Sequence, residues 1–387
     1  MSPSPNLDLS GLDAFAREVT AMIEARPPLA IRADLAAGAW IYGGGEYGQQ
    51  LCRALLDAGY PVLGFIDRRA GAGMDTLLDL PVRHPDDFTA ADAQGKTFVG
   101  GVINPLAGPA EIRPFAEGLP FRALCLGADL PDALGEAAGT FWQGSRAFLL
   151  DNIDKAKAAC TLLADQESVD VVVGLLRYRV TGDNSGYPPV DADHMYLPPE
   201  FGGFDAPITF VDGGAFIGDS CAFLIDHGVE IDRYVAFEPE ANNLGRLTKW
   251  VATAPIRETN ILPCGLSDTQ RDLVFAGAKG PSSRVLENAP APAEATTTIR
   301  CVAFDDVMPG IEPDFVKLDI EGAEMSALTG MQKTLARAKP RLAVCLYHRP
   351  QDVWEIPAFV SQFYGRLHIR QHGAFGWDTV LYALPDA

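Results

Sequence analysis

TFVDGGAFIGDS, residues 209–220, reads as a short apolar run, a glycine turn and the start of an amphipathic stretch. WIYGGGEYGQQL, residues 40–51, has the same plan, so that Gly43–Gly48 aligns over Gly213–Gly218. Glycines let the backbone turn sharply and approach a ligand, and the helix after the turn offers free N–H groups and its positive end. In such units a carboxylate at the end of the second strand accepts hydrogen bonds from ribose hydroxyls. Asp67 comes 19 positions after Gly48, and Glu238 comes 20 positions after Gly218. The repeat is therefore of whole βαβ units, and it predicts two α/β units, each built on a mainly parallel sheet.

Working outward from the first copy, residues 10–36 hold two helical patterns parted by Pro27 and Pro28. AWIY, PVLGFID, TFVGGVIN and RALCLG are strand candidates. Residues 141–205 open with a long proline-free helical pattern and close in a loop rich in Gly, Pro, Asp and Tyr. The expected division is an N-terminal Rossmann-like unit over 1–140, a helical lid or preface over 141–205, and a second α/β domain over 206–387. In that last segment ITFVDGG, YVAFEP, ILPCGLSD, DLVFAG, TTTIRCVAF, DFVKLDIEG, RLAVCLYH and DTVLYAL alternate with helical stretches.

The 387-residue chain carries a formal charge of −20, which repels phosphate backbones and sets nucleic acid aside as a partner. It has no run of 18 apolar residues and therefore no expected membrane span. Its start lacks the pattern of a secretory signal. Seven scattered cysteines without a C-x-x-C pair read as reduced thiols in a cytoplasmic protein, not as a disulfide frame or zinc site.

The two copies differ downstream of their glycines. The first has a formal G-x-G-x-x-G, Gly43, Gly45 and Gly48, which alone points to a dinucleotide. Beyond it only Asn104 is a polar residue at an expected strand end. The second leads to Phe237-Glu238-Pro239 and then to DFVKLDIEGAE, residues 314–324. FVDGGAFIGDS, YVAFEPEANNLGRL and DFVKLDIEGAEMSALTG, in this order and spacing, resemble the FkbM family of S-adenosylmethionine-dependent methyltransferases from about residue 150 onward. The resemblance implies a seven-strand doubly wound sheet with an antiparallel final strand, and methyl transfer to a hydroxyl of a sugar or natural product. Carried over, Asp212, Gly213, Gly214, Ala215 and Gly218 would cradle the methionine and ribose part of the cofactor. Glu238 would hold the ribose, Phe237 and Pro239 would flank the adenine, and Leu266 and Ser267 would lie near its edge. The first copy is more loosely similar to Rossmann-like domains attached to sugar-modifying enzymes, which favours a carbohydrate acceptor.

A sugar hydroxyl is a weak nucleophile at neutral pH, so a base is expected. His348, after the strand RLAVCLY, is the first choice because histidine titrates near neutrality. The plainer reading makes it a strand cap. Asp319 and Glu321 are the second choice, to position the acceptor or take its proton. A divalent cation held by them stays open and is not part of the expectation. Glu324 reads as a residue favouring a helix N-terminus. Tyr178, Arg179, His194 and Tyr196 in the lid, and Ser282 and Ser283 in a loop, are further candidates to line the pocket. The expected partner is a small-molecule or glycan acceptor, and a homo-oligomer stays open. The rival readings are an NAD(P)-dependent sugar-nucleotide oxidoreductase using the first loop, and a non-catalytic nucleotide-binding module.

Overall fold

The computed structural model describes residues 7–102, 109–138, 142–183, 186–276, 284–286, 296–374 and 376–385. Asn104, Ser282 and Ser283 lie outside the described residues. Among the described residues no helix is long and apolar enough to cross a membrane. All seven cysteines are buried and unpaired.

The first glycine loop belongs to a six-stranded sheet built from β1 (Ala39–Tyr42), β2 (Val62–Ile66), β3 (Thr76–Leu77), β4 (Leu80–Arg83), β5 (Thr97–Gly100) and β6 (Ala123–Cys125). The order is β3-β4-β2-β1-β5-β6, parallel except for the β3–β4 hairpin. Chain order reverses at β1, so the usual ligand crevice of such a sheet falls beyond the carboxyl ends of β1 and β5.

Helix α1 (Ser10–Ala25) precedes this sheet in sequence. Its apolar stripe, Leu12, Phe15 and Val19, is buried in the core cluster of the second sheet and its helices. Each such side chain contributes about 2 kcal/mol by area removed from water, as an upper estimate. Helix α2 (Glu46–Asp57) leaves the first glycine loop. Helices α3 (Arg146–Asp151), α4 (Ile153–Cys160) and α5 (Gln166–Thr181) follow the first sheet and contact α1. Asp165 caps α5 by accepting from the backbone of Ser168, and Gly182 ends it in the left-handed conformation.

The second glycine loop belongs to a seven-stranded sheet. Its strands are β7 (Ile208–Gly213), β8 (Ile231–Phe237) and β9 (Glu258–Leu262), joined later in the chain by four more. Between them a small separate sheet takes β10 (Gly265–Leu266), β11 (Arg271–Ala276), β12 (Arg284–Leu286) and β13 (Thr296–Val302) in the order β10-β13-β11-β12. DLVFAG and TTTIRCVAF thus form strands outside the main sheet. The remaining strands of the main sheet are β14 (Phe315–Leu318), β15 (Arg341–Cys345), β16 (Arg366–Gln371) and β17 (Thr379–Leu384). The main order is β16-β17-β15-β14-β7-β8-β9, with β17 antiparallel to both neighbours. Helix α6 (Asp219–Asp226) leaves the glycine loop, and α7 (Glu324–Gly330) comes after β14. β14, β7 and β15 are central and almost wholly buried, which places their carboxyl ends side by side.

Candidate active site

The second loop is pinned against the end of β8. The N–H groups of Gly214 and Ala215 both donate to the Phe237 carbonyl at 3.0 Å. The next N–H, of Phe216, donates to Oε2 of Glu238 at 2.9 Å. Gly214 has φ +75°, and a Cβ there would stand 1.9 Å from the Asp319 carbonyl oxygen. Only glycine lets the loop lie this close to β14.

Glu238 is 5 % exposed, and its Oε1 accepts from the Glu240 backbone at 2.9 Å and from Asn243 at 3.4 Å. Burial raises its pKa, and these neutral N–H donors offset part of the rise. Asp212 does not face the loop's outer side. It is fully buried, with Oδ2 accepting from Tyr234 at 2.8 Å and Oδ1 lying 3.1 Å from Nζ of Lys317. Lys317 also donates to the Gly214 carbonyl at 2.7 Å. Burial works against the lysine's charge, but Asp212 and then Asp319 outweigh it and keep Lys317 protonated. Asp212 therefore shapes the loop from beneath.

The other predicted cofactor residues divide in the same way. Ala215 is buried under the loop, and Leu266 packs in the core beside Gly213. The Phe237 ring points into the core, 6.0 Å from Phe304, so its carbonyl rather than its ring serves the loop. Pro239 is half-buried beside Glu238. Ser267 is fully buried, with its hydroxyl among Asp268, Arg271 and Ser326. Gly218 turns at φ +91° against Trp250 and starts α6.

His348, Asp319 and Glu321 do come together. His348 is 3 % exposed, with Nδ1 2.8 Å from Oε1 of Glu324. Its Nε2 lies 3.5 Å from Oδ1 of Asp319 and 3.7 Å from Oε2 of Glu321. Asp319 accepts from the hydroxyls of Tyr347 at 2.9 Å and Tyr196 at 3.2 Å. Glu321 is held at φ +58°, an uncommon conformation for a non-glycine residue that marks local strain.

The electrostatics reverse one expectation. Burial opposes a charge on His348, yet Glu324, then Glu321 and Asp319, outweigh it and push its pKa up to about 10. At neutral pH the ring is an imidazolium and cannot accept a proton. Burial pushes Glu321 up to about 7, with His348 pulling the other way. The Glu321 carboxyl thus changes charge near neutrality. Glu324, read from the sequence as a helix-end residue, is fully buried. Its Oε1 also accepts from the Ile320 backbone, and among the described residues its Oε2 has no partner.

Asp319, Glu324 and His348 each offer a donor atom within 4.8 Å of the others. Glu324 and Asp319 sit at opposite nitrogens of the same ring, however. An ion on Nε2 with Asp319 would leave Glu324 accepting from Nδ1–H, the arrangement of a metal-bound histidine and its carboxylate partner.

The first loop is shut by contrast. Asp67 accepts from the Gly44 backbone at 2.7 Å and is gripped by Arg69, whose Nε and Nη2 lie 2.9 and 2.8 Å from its two oxygens. Arg69, outweighing burial, draws the Asp67 carboxyl down to about 2. Beyond the strand ends, Tyr47, Gly100, Trp142, Gln143, Tyr178 and Gly182 close on a cavity of about 20 Å³, room for a water molecule. A cavity of about 530 Å³ lies elsewhere, against Arg26, Arg113, Asp129, Arg146 and Val180, and includes none of the predicted site residues. Asp129 there answers Arg26 at 3.0 Å and Arg146 at 2.7 Å.

Of the lid candidates, Tyr196 reaches the cluster. His194 is exposed on Asp191, Tyr178 packs on Tyr187, and Arg179 is fully buried. Lys317 was missed in the sequence, although a lysine inside the apolar run FVKL was a signal for it.

Residues 212–373 match the family model of the methyltransferase FkbM domain. The fold is similar to the crystal structure of a methyltransferase FkbM from Methylobacillus flagellatus KT. The TM-score is 0.75 at 22 % identity, over 97 % of this chain and 100 % of that one. Both glycine-loop sheets therefore recur together in a solved protein. No curated relative matches the sequence. Residues 212–373, with the loop and strand ends described above, thus match a methyltransferase FkbM domain, and the whole chain shares the fold of the solved FkbM methyltransferase.

Proposed function

We propose that the chain transfers a methyl group from S-adenosylmethionine to a hydroxyl of a sugar, nucleotide-sugar or glycosylated natural product. One observation carries the reading. Gly214 of the second loop lies against the main chain of Asp319, so a nucleoside-type loop and a proton-handling cluster share one crevice at the ends of β7, β14 and β15.

The residues fit the cofactor. A carboxylate accepts about four hydrogen bonds; three neutral N–H groups bond Glu238, which retains capacity on Oε2 for one ribose hydroxyl. The backbone of Gly213–Gly218 would hold the methionine end, with Asp212 and Lys317 bracing it from below. The cofactor supplies an electrophilic methyl on a sulfonium. Glu321 takes the acceptor's proton. Asp319 orients the acceptor with Tyr347 and Tyr196, and the His348 imidazolium holds both carboxylates in place. Tyr347 and Trp377, with ring centroids 5.9 Å apart, and nearby Asp378 add an aromatic face and acceptors suited to a polyhydroxylated molecule.

Calorimetric titration of the whole chain with S-adenosylhomocysteine, NADH and NADPH tests this. Micromolar binding of the first alone is expected. Glu238→Ala should weaken it about 10-fold or more, since one ribose hydrogen bond to a charged group is worth roughly 1.5–3 kcal/mol. Absence of S-adenosylhomocysteine binding, or nicotinamide binding lost in Asp67→Ala, would sink the reading.

A further inference from the structure

Arg179 heads the large side chains that are fully buried. It stands on the last turn of α5, and its fork points at the loop after β15. Nη1 donates to the Pro350 carbonyl at 3.1 Å and Nη2 to the Leu346 carbonyl at 3.3 Å. Those two carbonyls bracket Tyr347, His348 and Arg349. Among the described residues no carboxylate is paired with the guanidinium, and its Nε has no partner. Burial draws its pKa down to about 10, with Asp352 the main opposing influence. A buried charge answered by carbonyls alone is costly, and methionine or leucine would fill the volume without that cost.

The main chain of the same turn is gripped from the other side. Gln143 Nε2 donates to the Arg179 carbonyl at 2.6 Å. Ala128, just past β6, donates to the Val180 carbonyl at 3.3 Å. Gly127 lies so near that a Cβ would stand 2.9 Å from that carbonyl. The end of α5 therefore occupies the carboxyl-end crevice of the first sheet, where a dinucleotide would otherwise lie.

We propose that Arg179 is a positioning residue that fixes the main chain on both sides of His348, and that the first glycine-loop unit, through its grip on the end of α5, is the base on which this clamp stands. A planar fork reaches two carbonyls four residues apart; a lysine reaches one. His348 must present Nδ1 to Glu324 at 2.8 Å while Nε2 stays between Asp319 and Glu321. A shift of about 1 Å would break that arrangement. The closure of the first loop by Arg69 accords with this role: its unit holds a helix, not a nucleotide.

The proposal rests on the reading of the His348 cluster as the site of proton handling, so its test reads the ring and the cofactor separately. The full chain is labelled with ¹⁵N-histidine, and its six histidines are monitored through a pH titration, with His348→Gln assigning the signal. S-adenosylhomocysteine affinity is measured by calorimetry on the same samples. In Arg179→Met the His348 ring shifts should move and its titration midpoint fall by about one pH unit or more as the Glu324 bond loosens. S-adenosylhomocysteine affinity should stay within about threefold of wild type. Arg179→Lys should give an intermediate change. Unaltered His348 shifts and midpoint in a folded Arg179→Met would overturn the proposal. If Arg179→Met does not fold, Gln143→Leu decides: it cuts the bond to the Arg179 carbonyl and must move the His348 signal in the direction seen with Arg179→Lys, and an unmoved signal overturns the clamp. If the wild-type chain fails to bind S-adenosylhomocysteine, the methyltransfer reading falls while the ring data still decide the clamp.

Discussion

A matched pair of alanine substitutions separates the two glycine loops. In Gly214→Ala the new Cβ would stand 1.9 Å from the Asp319 carbonyl oxygen, at φ +75°. The left-handed conformation costs a residue with a Cβ about 1–2 kcal/mol. Overpacking between buried strands adds roughly 1–3 kcal/mol. The sum, about 2–5 kcal/mol, is less than the stability of an ordinary domain, so the chain should still fold. To restore a contact of about 3 Å, loop and strand end must part by about 1 Å, a displacement that costs on the order of 100-fold in a site built on position. In Gly48→Ala the Cβ would also stand 1.9 Å from a carbonyl oxygen, that of Gly43, but residue 48 is helical and pays no left-handed penalty. Its cost is about 1–3 kcal/mol of overpacking, less roughly 1 kcal/mol of gained helix propensity. Urea unfolding and calorimetry with S-adenosylhomocysteine read both. Both variants should be destabilised, Gly214→Ala the more. Only Gly214→Ala should lose affinity, by about 100-fold. Wild-type affinity in Gly214→Ala, or an equal loss in Gly48→Ala, would refute the assignment of the site to the second loop.

Two further expectations concern protons. The folded-state pKa of His348 is raised from 6.5 to about 10, so its charge contributes stability fully below about pH 6.5 and loses it as pH rises through about 10. The stability gap between wild type and His348→Gln in urea unfolding should therefore shrink between about pH 7 and 10, and a constant gap would show that the cluster does not hold the imidazolium. Glu321, raised from 4.5 to about 7, should give initial methyl-transfer rates that climb with pH through about 7. Glu321→Gln should flatten that limb and slow turnover by roughly 10²–10⁴-fold; a limb that persists in the variant would remove Glu321 from the role of base.

The alternation of strands and helices was legible because glycine turns and apolar runs mark it locally. The same marks put Asp319 and His348 at strand ends, where the fold gathers them. Partnerships set by register and packing escaped. Lys317 meets Asp212 because β14 and β7 pair them directly across the sheet. Glu324 looks like a helix-end acid until α7 swings it under His348, 24 residues on. That contact is also what turns an expected neutral base into a cation. The β3–β4 hairpin escaped because its turn is made by Leu78 and Asp79 at positive φ rather than by glycine. Arg179 reads as an amphipathic pocket residue, since nothing near it in sequence reveals two carbonyls some 170 positions away.

The placement of α1 bears on how the chain comes to be folded. Leu12, Phe15 and Val19 leave the ribosome well before their partners, since the core that covers them is completed by α3–α5 and by strands β14 to β17. Asp8 and Gln166 exchange hydrogen bonds across 158 positions. The first sheet can form within its own contiguous segment, while α1 waits with an apolar face exposed until its partners emerge. Domain-by-domain folding from the N-terminus is thereby interrupted, and the sheet that closes first is carried as an insertion between two parts of one core.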